Sequence, residues 1–349
     1  MNVGRLRGNS VVVSEEPDPA AGSGEVVVRL AACGVCGTDL EKVRGNYQTA
    51  GRIGHEPVGV IDAIGSGVVG LWPGQRVFVH HHVPCYNCDV CRRGDFTFCP
   101  TYSTTNIDPG GFSDRFRVPA ENVVRHAVMP LDPSVSWEAG TLIEPAACAL
   151  TALRRVDFRA GDSVFVVGLG PVGILYGLVA KAIGASWVGG AEVSAFRRAA
   201  AVRAGFAAVV DPRDAPAVDR LVHPATGGRG VDLAVAATGA PPAIALAARL
   251  ARRAGTLNIF GLPGAGRALD ADLQELYLRG VRVIPSYATT EREIPEVQAL
   301  LVHRRLDVTG LVTHTVPLPR LPEAFALAGR PEEAVKVAVT GPAYAAPGR

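Results

Sequence analysis

Seven cysteines stand at positions 33, 36, 85, 88, 91, 99 and 148, and four of them fall within fifteen residues. Cys85-Tyr-Asn-Cys88-Asp-Val-Cys91 followed by Cys99 is a C-x2-C-x2-C-x7-C run, a spacing that lets four thiolates on one compact loop converge tetrahedrally on Zn²⁺. Four thiolates leave no open coordination position, so the expected role is structural, pinning a lobe too small to hold itself together. An iron–sulfur cluster uses similar ligands, and a zinc ribbon that binds nucleic acid is the other alternative. Arg92 and Arg93 are balanced by Asp89 and Asp95 and no second basic patch accompanies the loop, which favours structural zinc.

A second pattern points to phosphate chemistry. Val166-Val167-Gly168-Leu169-Gly170-Pro171-Val172-Gly173 contains G-x-G-x-x-G directly after an apolar run and before a helical stretch. Gly168 makes the turn, Gly170 lets the backbone approach a pyrophosphate, and Gly173 lets helix pack on strand. The pyrophosphate would rest on the helix N-terminus, where Pro171 and Val172 stand. Glu192 closes the next strand, nineteen residues after Gly173, where a carboxylate holds both ribose hydroxyls and repels a 2′-phosphate. NAD is therefore expected over NADP. Arg197 and Arg198 follow closely and could stack on adenine or bind a phosphate, which keeps NADP open.

These motifs need a scaffold, and the rest of the chain describes one. With 349 residues, 48% of them apolar, the chain can bury more than one core, and two domains are expected. The net charge of +2 comes from 35 basic and 33 acidic residues scattered along the sequence, so nucleic acid is not an expected partner. Met1 to Pro17 lacks the apolar core of a signal or anchor, and a cytoplasmic location is expected. Ser163 to Ala180 is uncharged enough to suggest a membrane span, except that Gly168, Gly170, Pro171 and Gly173 interrupt it and make it a strand, turn and helix. From Gly24 to about Val124 short β-rich runs such as Glu25–Leu30, Val58–Ile64 and Arg76–His80 predict an irregular β-domain. Six apolar strands alternate with helical stretches beyond Gly161: Ser163–Val167, Trp187–Ala191, Ala208–Asp211, Leu233–Ala237, Thr256–Phe260 and Val281–Pro285. They make a doubly wound parallel sheet. Helices near Ile294–Arg304 and Leu321–Ala328 precede Val335–Thr340, a strand returning to the first domain, and Ala343–Arg349 reads as a frayed tail. The expected division is residues 1–150, with the cysteine lobe at about 81–101, then 151–286, then 287–349.

Together with Gly34-Val-Cys36-Gly-Thr38-Asp39, Gly54-His55-Glu56 with Gly59, Gly65 and Val68, Ile143-Glu144-Pro145, and Thr313-His314 with Lys336, the motifs resemble the medium-chain, zinc-dependent alcohol and polyol dehydrogenase family, which contains sorbitol and threonine dehydrogenases. The resemblance covers nearly the whole chain. It implies an α/β protein built of a GroES-like β-rich catalytic domain and a Rossmann domain. It further implies that Cys36 and His55 bind a catalytic zinc, the second zinc of the chain, with Glu56 as ligand or close partner. Glu144 takes the place of the family's other protein ligand, a cysteine in many alcohol dehydrogenases and an acidic residue in the polyol branch. A Cys, His, Glu set suits zinc with one position open. An alcohol entering there would lose its proton to Thr38 and its hydride to the nicotinamide; the reverse direction reduces a ketone. Cys33 and Cys148 are expected in the core, and Asp39 as a structural hydrogen-bond acceptor.

Two departures from the family pattern stand out. Glu41 replaces a histidine that serves many relatives as outer proton relay, and Thr151 replaces another, so Thr151 is assigned no role. Glu41, Tyr47 and Asp108 fall in segments that line the cleft in relatives, and their acidity points to a polyhydroxylated or amine-bearing substrate. One rival reading is an NADPH-dependent ketone reductase of an amino-sugar or cyclitol pathway. The other, from a different class, is a zinc-ribbon binding protein without catalysis, which the glycine fingerprint with Glu192 argues against. The resemblance also implies a homodimer or homotetramer paired through the sheet edge at Val281–Ser286.

Overall fold

The structure, a computed structural model, describes residues 1–46, 51–269 and 271–344. The chain opens with an antiparallel hairpin of β1 (Asn2–Arg7) and β2 (Ser10–Glu15), which the apolar periodicity did not announce. The next strand, β3 (Val26–Gly34), organises the first domain. Eight of its nine residues are buried. It pairs along one edge with β4 (Pro57–Ile64), which continues to β5 (Arg76–Val79). The opposite edge of β3 serves two partners, with β6 (Arg115–Val118) along Val26–Arg29 and the last strand of the chain along Ala32–Gly34. Strand β7 (Val128–Pro130) closes the far side against β5.

The second domain is a six-stranded parallel sheet of β8 (Ser163–Val167), β9 (Trp187–Ala191), β10 (Ala208–Val210), β11 (Val231–Ala236), β12 (Ala251–Ile259) and β13 (Arg282–Pro285). Its order is β10-β9-β8-β11-β12-β13, the doubly wound arrangement expected from the sequence. Every residue of β8 is buried, as a central strand covered by helices on both faces requires. The strand order reverses between β8 and β11, so the crevice for a ligand opens at their carboxyl ends, where the glycine loop lies.

Strand β12 starts five residues before the expected Thr256. Ala251 pairs with Val231, after which the register slips through Arg252–Gly255, with Ala254 at φ 54. That bulge carries the polar residues that hid the strand's beginning. Beyond β13, helix Ile294–Val302 packs Ile294 and Val297 into a core shared with helix Ile143–Arg155. The chain then returns to the first domain. Strand β14 (Val312–Pro317), not assigned from the sequence, runs parallel to β15 (Lys336–Thr340), with helix Leu321–Ala328 as the crossover. The frayed-tail expectation is corrected for its first residues: the Ala343 N–H donates to the Leu30 carbonyl at 2.8 Å and the Tyr344 hydroxyl donates to Glu138. Residues 345–349 lie outside the described residues.

Candidate active site and metal centres

In the cysteine lobe, Cys88 precedes the short helix Asp89–Arg92 and Cys99 precedes the helix Pro100–Thr104. The Sγ atoms of Cys85 and Cys91 lie 4.0 Å apart, those of Cys88 and Cys99 3.8 Å, and those of Cys85 and Cys99 3.5 Å. Four sulfurs at 2.3 Å from one metal stand about 3.8 Å from each other, so the cage has the size of a tetrahedral zinc site. The Cys88 N–H donates to Cys85 Sγ and the Cys85 N–H to Cys99 Sγ, each at 3.3 Å. Burial opposes ionisation of Cys99, but backbone N–H groups outweigh it and bring the thiol down to about 6. Burial pushes Cys91 up to about 12. Only Cys91, Cys99 and Tyr102 form the lobe's buried core, too little to hold it without cross-linking.

The other cluster joins two segments. Cys36 follows β3 and begins helix Gly37–Val43; His55 and Glu56 immediately precede β4. Gly54 must be glycine, since it sits at φ +81 and a Cβ there would lie 2.6 Å from the Phe112 nitrogen. One ligand atom each from Cys36, His55 and Glu56 lies within 4.8 Å of the others. His55 Nδ1 faces the buried Asp39 Oδ1 at 3.4 Å, and Asp39 also accepts from the N–H groups of Cys36 and Gly54. Burial opposes ionisation of Asp39, yet His55, Lys42 and the Gly54 N–H hold its carboxyl well below the usual range. A carboxylate facing the imidazole in this way orients the ring, the arrangement that metal-ligating histidines use.

Glu56 is buried against Lys336, whose Nζ lies 2.7 Å from Oε1 and 2.5 Å from Oε2. Burial disfavours the ammonium, but Glu56 and Cys36 overcome it and raise the pKa of Lys336. Gly34 leaves this space open, because a Cβ there would stand 1.9 Å from Glu56 Oε2. Glu144, in the first turn of helix Ile143–Arg155, stands outside the 4.8 Å cluster but lines the same cleft. Burial raises its carboxyl to about 7, and it accepts a hydrogen bond from Cys148 Sγ at 3.3 Å.

Two cavities meet at this cluster. A cleft of about 350 Å³ is bounded by Cys36, Thr38, His55 and Glu144, and a groove of about 780 Å³ runs past Gly168, Gly170, Glu192 and Arg197. Cys36, Gly37, Val172, Ala237 and Thr238 belong to both walls. In the groove the Gly170 Cα faces open space, where an added Cβ would meet only Arg197 Nη1 at 3.6 Å. Glu192 is buried and accepts from the Leu169 N–H at 2.8 Å and the Ser194 N–H at 3.0 Å, which fixes its carboxylate in the groove wall.

The alcohol dehydrogenase GroES-like domain matches residues 22–130 and the zinc-binding dehydrogenase domain matches residues 171–303. L-Threonine 3-dehydrogenase of Pyrococcus abyssi is 32% identical over 322 residues, 88% of this chain and 89% of that protein. Sorbitol dehydrogenase of Bacillus subtilis is 32% identical over 260 residues, 71% and 70% of the two chains. A zinc-binding dehydrogenase from Sinorhizobium meliloti, solved bound to NADP, has a TM-score of 0.87 at 25% identity, covering 97% of this chain and 98% of that one. The chain belongs to the zinc-dependent medium-chain alcohol and polyol dehydrogenases.

It is thus a GroES-like domain joined to a Rossmann domain, an oxidoreductase of alcohols or polyols that uses zinc and a nicotinamide dinucleotide. The dehydrogenase brings most of the expected residues to these two cavities, with some exceptions. Cys33 is fully buried as expected, but Cys148, also expected in the core, lines the cleft one turn along the helix from Glu144. Asp108 stands away from the cleft, ion-paired with Arg117 at 3.3 Å and Arg52 at 3.5 Å. Tyr47 lies outside the described residues. Glu41 lines the cleft with its carboxylate taken by Arg44 and Asn46. Arg197 lines the groove, whereas Arg198 turns to Asp211 and the carbonyls of Glu192 and Val193. Thr151 shares a hydrogen bond with Thr289, tying its helix to the segment after β13. The sequence reading missed His81 and His82, which also line the cleft; the run His80-His81-His82 was the available signal.

Proposed function

We propose that this dehydrogenase transfers a hydride between NAD(H) and a secondary alcohol or ketone on a polyol, cyclitol or sugar-like substrate. The observation that carries the reading is the convergence of Cys36, His55 and Glu56 at the junction of the dinucleotide groove and the smaller cleft. The donor set fits zinc: a thiol, an imidazole backed by the Asp39 carboxylate, and Glu144 across the cleft, with Glu56 beside them balanced by Lys336. The four-cysteine lobe holds a second zinc. When bound, the catalytic zinc supplies Lewis acidity toward the substrate hydroxyl, and the dinucleotide supplies the hydride acceptor.

The chain's own residues do the rest. Thr38, on the cleft wall next to Cys36, accepts the hydrogen bond of the reacting hydroxyl and carries its proton outward. Gly170 and the N-terminus of helix Pro171–Ala182, with Val172 in its first turn, receive the pyrophosphate, and Arg197 adds positive charge. Gly168 and Gly173 close the turn that aims this helix. Glu192 takes the ribose hydroxyls and disfavours a 2′-phosphate, so NAD is preferred.

Exposed Val283 on edge strand β13, with Tyr277 and Leu278 on the preceding helix, supports pairing of two chains through that edge. Among the described residues no helix is long and apolar enough to cross a membrane, and a cytoplasmic location completes the proposal.

The test is a panel of polyols, cyclitols and their ketones assayed with NAD(H) and NADP(H), on wild type and on Glu192→Ser. Polyol-dependent NADH formation, shifting toward NADPH in Glu192→Ser, is expected. Ketone reduction with NADPH alone, unchanged in the variant, would establish the NADPH-dependent reductase instead.

A further inference from the structure

The cysteine lobe does not stand apart from the cleft. The segment leaving β13 brings Ser286, Tyr287 and Ala288 to the cleft wall and runs on across the face of the lobe. Ala288 packs against the lobe core of Cys91, Cys99 and Tyr102. The Tyr102 hydroxyl donates to the Thr289 carbonyl at 2.6 Å, the rings of Phe98 and Tyr287 lie 6.0 Å apart, and the Arg292 guanidinium sits 4.8 Å over the Phe96 ring. Tyr86, between the first two cysteines and 5.2 Å from the Phe96 ring, donates its hydroxyl to Glu291. Glu291 is buried, and among the described residues no other side chain hydrogen-bonds to its carboxylate, whose Oε2 has no partner.

Two residues at this contact hold a backbone conformation that L side chains disfavour, Tyr86 with φ 58 and Ala288 with φ 57. Such residues keep their conformation only where neighbours over-determine it, and for Ala288 those neighbours are the lobe core. The ends of the wall are fixed from elsewhere. The Ser286 N–H donates to the Ile259 carbonyl at 3.0 Å and its Oγ accepts from Asn258 Nδ2 at 2.8 Å, while Thr289 is tied to Thr151. Tyr287 and Ala288, between these ends, lie against the lobe.

We propose that Tyr86 and Glu291 form a clasp through which the metal-bound lobe positions Tyr287 and Ala288 in the cleft wall, so that substrate binding depends on a metal that four thiolates close off from substrate. The inference rests on the hydride-transfer reading above and adds a control on the same cleft. Tyr86 and Glu291 are positioning residues, acting through the backbone of the wall. The lobe core is too small to keep its shape without metal, so emptying it frees the clasp. A wall that is in place only part of the time weakens the apparent affinity for substrate by that fraction and leaves the rate at saturation intact. The dinucleotide groove, whose walls include none of these residues, keeps its affinity.

The experiment measures KM and kcat for xylitol, myo-inositol and butane-2,3-diol, amide exchange at residues 289–291, zinc per chain and NADH affinity. The proteins are wild type, Tyr86→Phe, Glu291→Leu, Glu291→Gln and Cys91→Ser. Loss of a hydrogen bond to a buried carboxylate shifts the wall's equilibrium by about tenfold. Tyr86→Phe and Glu291→Leu, with both zinc ions retained, are expected to raise KM by about fivefold to tenfold, keep kcat within about twofold and speed exchange at 289–291 by about tenfold. Glu291→Gln, which still accepts from Tyr86, should return close to wild type. Cys91→Ser, its lobe empty, should show the same rise in KM and in exchange while binding NADH as wild type does. Wild-type KM and exchange in Tyr86→Phe and Glu291→Leu, or protected 289–291 amides in Cys91→Ser, overturn the clasp. So does a joint fall in kcat and NADH affinity, which marks a general loss of fold. Failure of zinc-loaded wild type to oxidise any of the three compounds with NAD or NADP overturns the hydride-transfer reading instead, and the exchange data then decide the clasp by themselves.

Discussion

Two glycines three residues apart should fail in opposite ways when a single methyl group is added. At Gly173 a Cβ would lie 1.9 Å from the Gly168 carbonyl oxygen and 3.2 Å from the Ala237 Cβ. An ordinary carbon–oxygen contact is about 3.3 Å, so the turn must open by more than 1 Å, and the Gly168 backbone on one side and the Ala237 Cβ on the other resist. Overpacking of this kind costs about 3 kcal/mol, the upper end of its usual range. At about 2–4 °C per kcal/mol for a unit of this size, Gly173→Ala should melt about 6–12 °C below wild type. Gly170 has φ −66 and ψ −176, which alanine adopts freely, and its Cβ would meet only Arg197 Nη1 at 3.6 Å. Its loss as helix N-cap and its gain from a stiffer unfolded chain are each under about 1 kcal/mol and oppose one another. Gly170→Ala should therefore melt with wild type yet bind NADH at least about tenfold more weakly, since the methyl stands where the pyrophosphate approaches. Calorimetry and titration of NADH fluorescence read the two quantities separately. Wild-type stability in Gly173→Ala, or wild-type NADH affinity in Gly170→Ala, would refute the assignment of packing to one glycine and ligand approach to the other.

Lys336→Met strands the Glu56 carboxylate in a site where both partners are at most 1% exposed, and should cost about 3–5 kcal/mol in thermal melts. Adding Glu56→Gln should recover most of that loss, and a single-variant penalty under about 1 kcal/mol would show that the pair is not desolvated. Cys91→Ser should release the lobe metal and open residues 85–104 to rapid amide exchange, because only Cys91, Cys99 and Tyr102 form its core; unchanged zinc content would contradict this. Val283→Asp on the exposed edge of β13 should shift the assembly toward single chains in sedimentation while leaving melting at low concentration within about 1 kcal/mol. An unchanged sedimentation profile would place the contact elsewhere.

What could be read in the sequence was what is encoded over short distances. The cysteine lobe closes within fifteen residues, and the strand, glycine turn and helix from Ser163 to Ala182 carry their own punctuation. The four inner parallel strands followed from apolar runs that burial on two faces demands, and the edge strands β10 and β13 from shorter apolar runs. Strand β14 escaped because Val-Thr-His-Thr-Val buries little besides Val316, and its place in the sheet is set by pairing with β15. The cleft walls were harder still. Cys148 read as a small buried residue because nothing local shows that Glu144, one turn away, turns the same helix face to the cleft. His81 and His82 carry no motif spacing, and their place depends on β5 ending beside Thr105 and His55. Asp108 looked like a cleft residue until Arg52 and Arg117 were seen to hold it outside.

The account's central claim is the proposed catalytic zinc at the Cys36, His55 and Glu56 cluster, with Glu144 lining the same cleft, separate from the cysteine lobe and bordering the dinucleotide groove. The most direct measurement is zinc per chain by mass spectrometry on wild type and Cys36→Ser, together with NAD titration of both proteins. The account predicts two zinc ions falling to one, with NAD affinity kept within about threefold because the groove's phosphate and ribose contacts are untouched. One zinc in both proteins would contradict it and leave only the structural lobe.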